Sequence, residues 1–157
     1  MPTSEEERWR LLRFGARHDS GVLYHQDAPG EVWVDSIADV VPTLVSTGDF
    51  APADMQYRMH RQHLWDPESG LYGERFDVDN EAWVRPEPTA RGNARVAESM
   101  ARALRIGGEG TPSEMRGRWQ RQTSALIAAC ASLDLDPDSA ELLSRALRIG
   151  EEDGWLT

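Results

Sequence analysis

Two aspartates four residues apart, Asp35 and Asp39, sit in the run EVWVDSIADVVP among tryptophan, valine and isoleucine. On a helix that spacing puts both carboxylates on one face. Two like charges that close repel, which is one way a carboxyl group can be made to hold a proton for general acid–base work. The competing roles are ordinary ones. Asp35 fits a helix N-cap or first-turn carboxylate favoured by the helix dipole, and the pair fits a solvated helix face. Other chemistry-bearing residues are less well grouped. His60 and His63 are three apart and His18 adjoins Asp19, but no acidic or cysteine ligand joins them at a zinc spacing, so no metal and no cofactor are expected. The one cysteine, Cys130, lies in the apolar stretch SALIAACASL without a neighbouring histidine. That describes a buried thiol better than a nucleophile. The arginine-rich RGRWQRQ (116–122) reads as a solvated helix face.

The elements that must position these residues are mostly helical. SEEERWRLLRF (4–14) has Ser4 as a cap, Glu5 to Glu7 for the dipole, and Trp9, Leu12 and Leu11 to face inward. A turn-rich stretch with Gly21, Pro29 and Gly30 follows. From Val32 to Val45 the spacing of Val34, Ile37, Ala38, Val41 and Val45 predicts a helix, with Pro42 expected to kink or shorten it. Residues 52–65 predict another helix, with Met55, Met59 and Leu64 on its apolar face. DPESGLYGERFDVDNEAWVRPEPTARGN is rich in Gly, Pro, Asp and Asn and predicts a long loop with a short hairpin. Helices are then expected over 92–106, from Thr111-Pro112 to about Leu133, and over 138–149. The near-identical ARALRIG (101–107) and SRALRIG (144–150) each end at a glycine, which suggests repeated helical hairpins. The expected class is all-α, as a single helical domain over 1–157.

Composition narrows the function. The chain has 157 residues and a formal net charge of −10, and all 17 of its basic residues are arginine. Binding of nucleic acid through a broad basic surface is not expected. An anionic ligand must instead be met by locally placed arginines. No apolar stretch is long enough for a membrane span, and the acidic amino terminus lacks the pattern of a signal peptide. The expected location is therefore the cytoplasm.

Three blocks in order carry a resemblance: GVLYHQDAPGEVWVDSIADVVPTLVSTG, DPESGLYGERFD and ARGNARVAESMARAL. Their landmarks are Gly21 to His25, Trp33-Val34-Asp35, Pro42-Thr43-Leu44, Gly70-Leu71-Tyr72 and Arg91-Gly92-Asn93. Together they resemble the unsaturated glucuronyl and rhamnogalacturonyl hydrolases, glycoside hydrolase families 88 and 105. The resemblance spans roughly residues 20–107 and implies a barrel of six helical hairpins with its site in the mouth. It also implies a reaction: a carboxyl group protonates the C4–C5 double bond of an unsaturated uronyl group, and water adds at C5. The hemiketal then collapses and releases the sugar. Asp35 matches the catalytic aspartate. His25, Trp33, Asp39, Tyr72, Glu74, Arg91 and Asn93 would surround the anionic oligosaccharide, with Arg91 pairing bidentately with the uronate carboxylate. Tyr72 or Trp83 could offer a ring face to the sugar, core packing being the alternative for each.

The chain also departs from the family pattern. Ser36 replaces the second aspartate of the block and Asp39 its methionine. Glu74 stands where a histidine is expected, Thr89 where a tryptophan is expected, and Ala94-Arg95 in place of glycine-tryptophan. The other aspartate of the family lies upstream of this block, where this chain has almost nothing. The length fits about half of an (α/α)6 barrel, which would leave apolar inner helix ends open. Two copies associating as a homodimer to close the ring, a repacked chain, and a fragment are the three ways out. An inactive helical module that binds a sugar or a protein is the alternative to a hydrolase.

Overall fold

The computed structural model describes residues 5–157. Six α-helices dominate: α1 (Glu5–Phe14), α2 (Val34–Ser46), α3 (Phe50–Leu64), α4 (Ala90–Gly107), α5 (Ser113–Cys130) and α6 (Pro137–Glu152). Ser4, the expected cap of α1, lies outside the described residues, as does the side chain of Leu11. Leu12 is buried and Trp9 packs against the core, as their spacing predicts.

The helices form two layers. α2 and α6 flank α4 in one layer, while α3 packs behind α2 and α5 behind α4. α4 can be approached from several sides because its inward positions are small: Ala94, Ala97, Ala101 and Ala103 are all fully buried beside Val96 and Met100. Its start is held by Thr89, whose hydroxyl accepts from the Gly92 N–H at 3.0 Å. α6 begins the same way, with Asp136 accepting from the Ser139 N–H at 2.9 Å and Pro137 in the first turn. The second of the two related segments does not stop at its glycine, since α6 runs on past Gly150 to Glu152.

Pro42 neither breaks nor shortens α2, which runs through it from Val34 to Ser46. Proline removes only one intrahelical bond. Nine buried residues, Pro42 among them, hold this helix through packing instead. Its four residues that are not buried, Asp35, Asp39, Thr43 and Ser46, fall on a single stripe.

The expected long loop is more ordered than its composition suggests. A three-stranded antiparallel sheet in the order β1-β4-β5 joins β1 (Glu31–Trp33), β4 (Arg75–Asp77) and β5 (Ala82–Arg85). A two-residue ladder joins β2 (Trp65–Asp66) to β3 (Leu71–Tyr72). Both carboxylate oxygens of Asp66 accept backbone N–H groups of the intervening turn, from Glu68 and Ser69, each at 3.1 Å. Gly70 closes that turn at φ +72°.

The open face of the α2–α4–α6 layer is charged, not apolar. Arg95 of α4 reaches Asp35 and Asp39 of α2, and Arg105 reaches Glu152 and Asp153 at the end of α6 at 2.8 and 2.9 Å. These arginines place ion pairs near both ends of α4, while Ile106 beside Arg105 is an exposed apolar residue. No helix among the described residues is long and apolar enough to cross a membrane.

Candidate functional site

The small sheets bring the N-terminal turns of α2, α4 and α6 to one end of the layer. β1 feeds directly into α2, and the Val34 N–H that opens the helix donates to the Glu74 carbonyl at 2.9 Å. That bond seats Asp35, in the first turn of α2, beside the start of α4. Gly92 makes the close approach possible: a Cβ there would lie 2.9 Å from Val34 Cγ1. Arg91 and Arg95, one helical turn apart on α4, point along the same face.

Arg95 is the residue that meets Asp35. Its Nη1 donates to Asp35 Oδ1 at 2.6 Å, and its Nη2 lies 3.5 Å from Asp39 Oδ1. The two aspartates do share a face, and a guanidinium bridges them. Their side chains are 37% and 59% exposed, against 28% for Arg95, so the cluster is partly wet. In this arrangement Asp35 is the acceptor of an ion pair, not a free proton donor.

On the far side of Arg95 an open cleft of about 550 Å³ separates α4 from α6. Arg91, Arg95, Asp138, Glu141, Leu142 and Arg145 line it, with Asp136 at its edge. Glu141 is held by Arg145 at 2.6 Å, and Asp136 is occupied in capping α6. Arg91 is exposed and, among the described residues, makes no ion pair or side-chain hydrogen bond. It is the cation in this cleft that is left for a ligand. Arg95, Asp138, Glu141 and Arg145 were not singled out from the sequence as site residues. The signal for Arg95 was available, because its four-residue spacing from Arg91 mirrors that of Asp35 and Asp39.

The remaining candidates divide into two groups. His25 and Trp33 belong near the mouth: their rings stack with centroids 3.6 Å apart, and the Arg75 guanidinium sits 4.4 Å from the Trp33 ring. Glu31 holds Arg75 in place through Nε at 2.8 Å and Nη2 at 3.0 Å, and also accepts from Trp33 Nε1 at 3.2 Å. Burial lowers the His25 pKa below the usual histidine value, and the carboxylates of Asp27, Asp35 and Asp39 oppose that shift. His25 Nδ1 accepts from the Asp27 N–H at 3.2 Å, which leaves Nε2 as the proton-bearing nitrogen of the neutral ring.

Tyr72 and Asn93 lie inside, both fully buried. Asn93 spans β3 and the start of α4. Its Oδ1 accepts from the Tyr72 N–H at 2.7 Å, and its Nδ2 donates to the carbonyls of Tyr72 at 3.0 Å and Thr89 at 2.9 Å. The Tyr72 hydroxyl accepts from Arg61 Nη1 at 2.8 Å and lies 3.4 Å from the Tyr57 hydroxyl. Trp83 is 42% exposed on β5, with its ring edge-on to Phe76. Glu74 accepts a hydrogen bond from the Thr89 hydroxyl.

Residues distant in sequence meet here: Glu74 bonds to Thr89, and Asp39 forms an ion pair with Arg95. Among the described residues no three His, Cys, Asp or Glu side chains are grouped as metal donors.

Neither a protein-family model nor a curated protein sequence matches the chain. Solved structures do. A family 105 glycoside hydrolase from C. acetobutylicum superposes with a TM-score of 0.78 at 14% identity, over 97% of this chain and 52% of that one. A protein from Salmonella enterica described as a possible member of the GH105 family gives 0.79 at 18% identity, over 98% and 48%. The endo-beta-1,4-glucanase CMCax from Acetobacter xylinum gives 0.62 at 16% identity, over 82% and 38%. The chain spans about half the length of the family 105 structures, and over that half it has their mostly helical six-hairpin glycosidase fold.

Proposed function

We propose that the mouth formed by α2, α4 and α6 takes the unsaturated uronyl end of an anionic oligosaccharide, with Asp35 as acid and base. One observation carries the reading: Arg95 of α4 joins the Asp35 carboxylate at the start of α2 to the open cleft that Arg91, one turn away on the same helix, also lines. In the proposed reaction the Arg91 guanidinium holds the uronate carboxylate. Protonated Asp35 delivers its proton to C4 of the double bond, and its conjugate base then takes a proton from the water that adds at C5. The hemiketal opens and the C1–O bond to the leaving sugar breaks. His25, stacked on Trp33 beside the aspartates, lines the sugar's approach. Asn93 and Tyr72 act at one remove, by fixing the start of α4 against β3. The solved family 105 structures support this substrate class through their fold.

A second reading rests on the Asp35–Arg95 pair itself. If that pair stays closed, the mouth binds an anionic sugar without hydrating it. Loss of the ultraviolet absorbance of an unsaturated uronyl disaccharide, together with equilibrium binding of the same compound, separates the two. Binding with loss supports the hydrolase, and binding without loss supports the sugar-binding module.

A further inference from the structure

Arg95 stands between two competing anions: the aspartates of α2 on one side and the cleft on the other. We infer that Arg95 is a carboxylate-displaced latch, which leaves Asp35 and Asp39 for the ligand's carboxylate and so makes Asp35 available only when an acidic sugar is bound. This rests on the proposed uronate site and adds its selectivity to it. Three observations carry it. Arg95 lines both the aspartate pair and the cleft. Its second contact, to Asp39, is long at 3.5 Å and made to a carboxylate 59% exposed. Arg91, one turn before it on the same face, is already without a partner and can take the first oxygen of an incoming carboxylate.

A carboxylate has two acceptor oxygens and suits two guanidinium groups at once. When it is seated between Arg91 and Arg95, Arg95 exchanges one anionic partner for another, the ligand's charge is met by Arg91, and Asp35 and Asp39 lose their shared counter-ion. A neutral sugar offers no such exchange and leaves the Asp35–Arg95 pair closed. Of the cleft's other acids, Glu141 is bound by Arg145 and Asp136 by the α6 cap, which leaves Asp138 as the carboxylate that faces the ligand with the arginines.

The test is equilibrium binding of D-glucuronate and D-glucose to the wild-type chain and to Arg95→Leu and Asp39→Asn. Arg95→Leu is expected to weaken glucuronate binding by about tenfold. Asp39→Asn removes a competitor for the latch and is expected to strengthen it by about twofold to fivefold. Neither variant should change glucose binding. Removing the Asp39 charge also relieves repulsion of any anion, so the discriminating result is that the Asp39→Asn gain is lost when Arg95 is replaced as well, in Arg95→Leu/Asp39→Asn or, should that fail to fold, in Arg95→Gln/Asp39→Asn. Glucuronate bound by all three proteins with equal affinity overturns the latch and leaves the proposed site standing. Glucuronate bound by none of them overturns the site, and the latch with it.

Discussion

Arg95 and Asp35 are joined across 2.6 Å, from the first turns of α4 to the first turn of α2. Arg95 carries the guanidinium that reaches both Asp35 and Asp39 across the α2–α4 contact. For the proposed reaction the consequence is that the Asp35 carboxylate is engaged until something else takes its partner.

Asn93 is the hinge-pin of the mouth, since all of its hydrogen bonds run to β3 and to the cap of α4. Asn93→Ala would leave the Tyr72 N–H buried without an acceptor. A loss of about 2 kcal/mol in denaturant unfolding is expected. Asn93→Asp should cost at least as much, because its second carboxylate oxygen would sit, buried and charged, against the Tyr72 and Thr89 carbonyls that Nδ2 now serves.

The outer layer depends on a buried charge. Asp54 of α3 pairs with Arg118 and accepts from Trp119 Nε1 at 2.8 Å, both on α5. Removing it in Asp54→Ala strands an indole N–H and a guanidinium in the interface. A cost of about 3 kcal/mol is expected from urea unfolding. Arg58→Ala should cost far less, because Arg58 meets the same carboxylate from a side chain that is 62% exposed.

Acid should destabilise the fold through His60. This ring is fully buried on α3, its Nδ1 lies 2.8 Å from the Gln56 carbonyl, and burial lowers its pKa from 6.5 to about 4. Between those two values the unfolded chain binds a proton that the native chain refuses, so stability falls as pH drops from 6.5 to about 4. The group can remove at most about 3 kcal/mol over that window. Chemical unfolding at stepped pH should show the slope in the wild type and a shallower one in His60→Gln.

The charged open face bears on oligomeric state. Closing a ring with a second copy would bury Arg105 with Glu152 and Asp153, and the Arg95 cluster, against a like-charged partner of net charge −10. Sedimentation at physiological salt is expected to give a single species at the monomer mass of 17.6 kDa. A species of twice that mass would support the closed ring.

The helices were legible in the sequence because their apolar residues recur at helical spacing, as Val34, Ile37, Val41 and Val45 do in α2. The small sheets were legible only as the short hairpin expected in the long loop, which the antiparallel β4–β5 pair bears out. β2 and β3 contribute two residues each, too few for an alternating pattern, and their register is fixed by the Asp66 turn. Of the site, Asp35, Asp39 and Arg91 could be found from motif and spacing. What spacing could not give was the partner of each: Arg95 lies 60 positions from Asp35, and Thr89 lies 15 from Glu74. Glu74 with Thr89, and Asp39 with Arg95, are pairs that only the fold brings together.

The central claim is that Asp35 performs acid–base hydration of an unsaturated uronyl sugar. The most direct measurement follows the ultraviolet absorbance of an unsaturated uronyl disaccharide with wild-type protein and with Asp35→Asn. A steady loss of absorbance is expected with the wild type, and a rate lower by about a hundredfold or more with Asp35→Asn. Equal rates in the two proteins, or no loss with the wild type at high protein concentration, would contradict it.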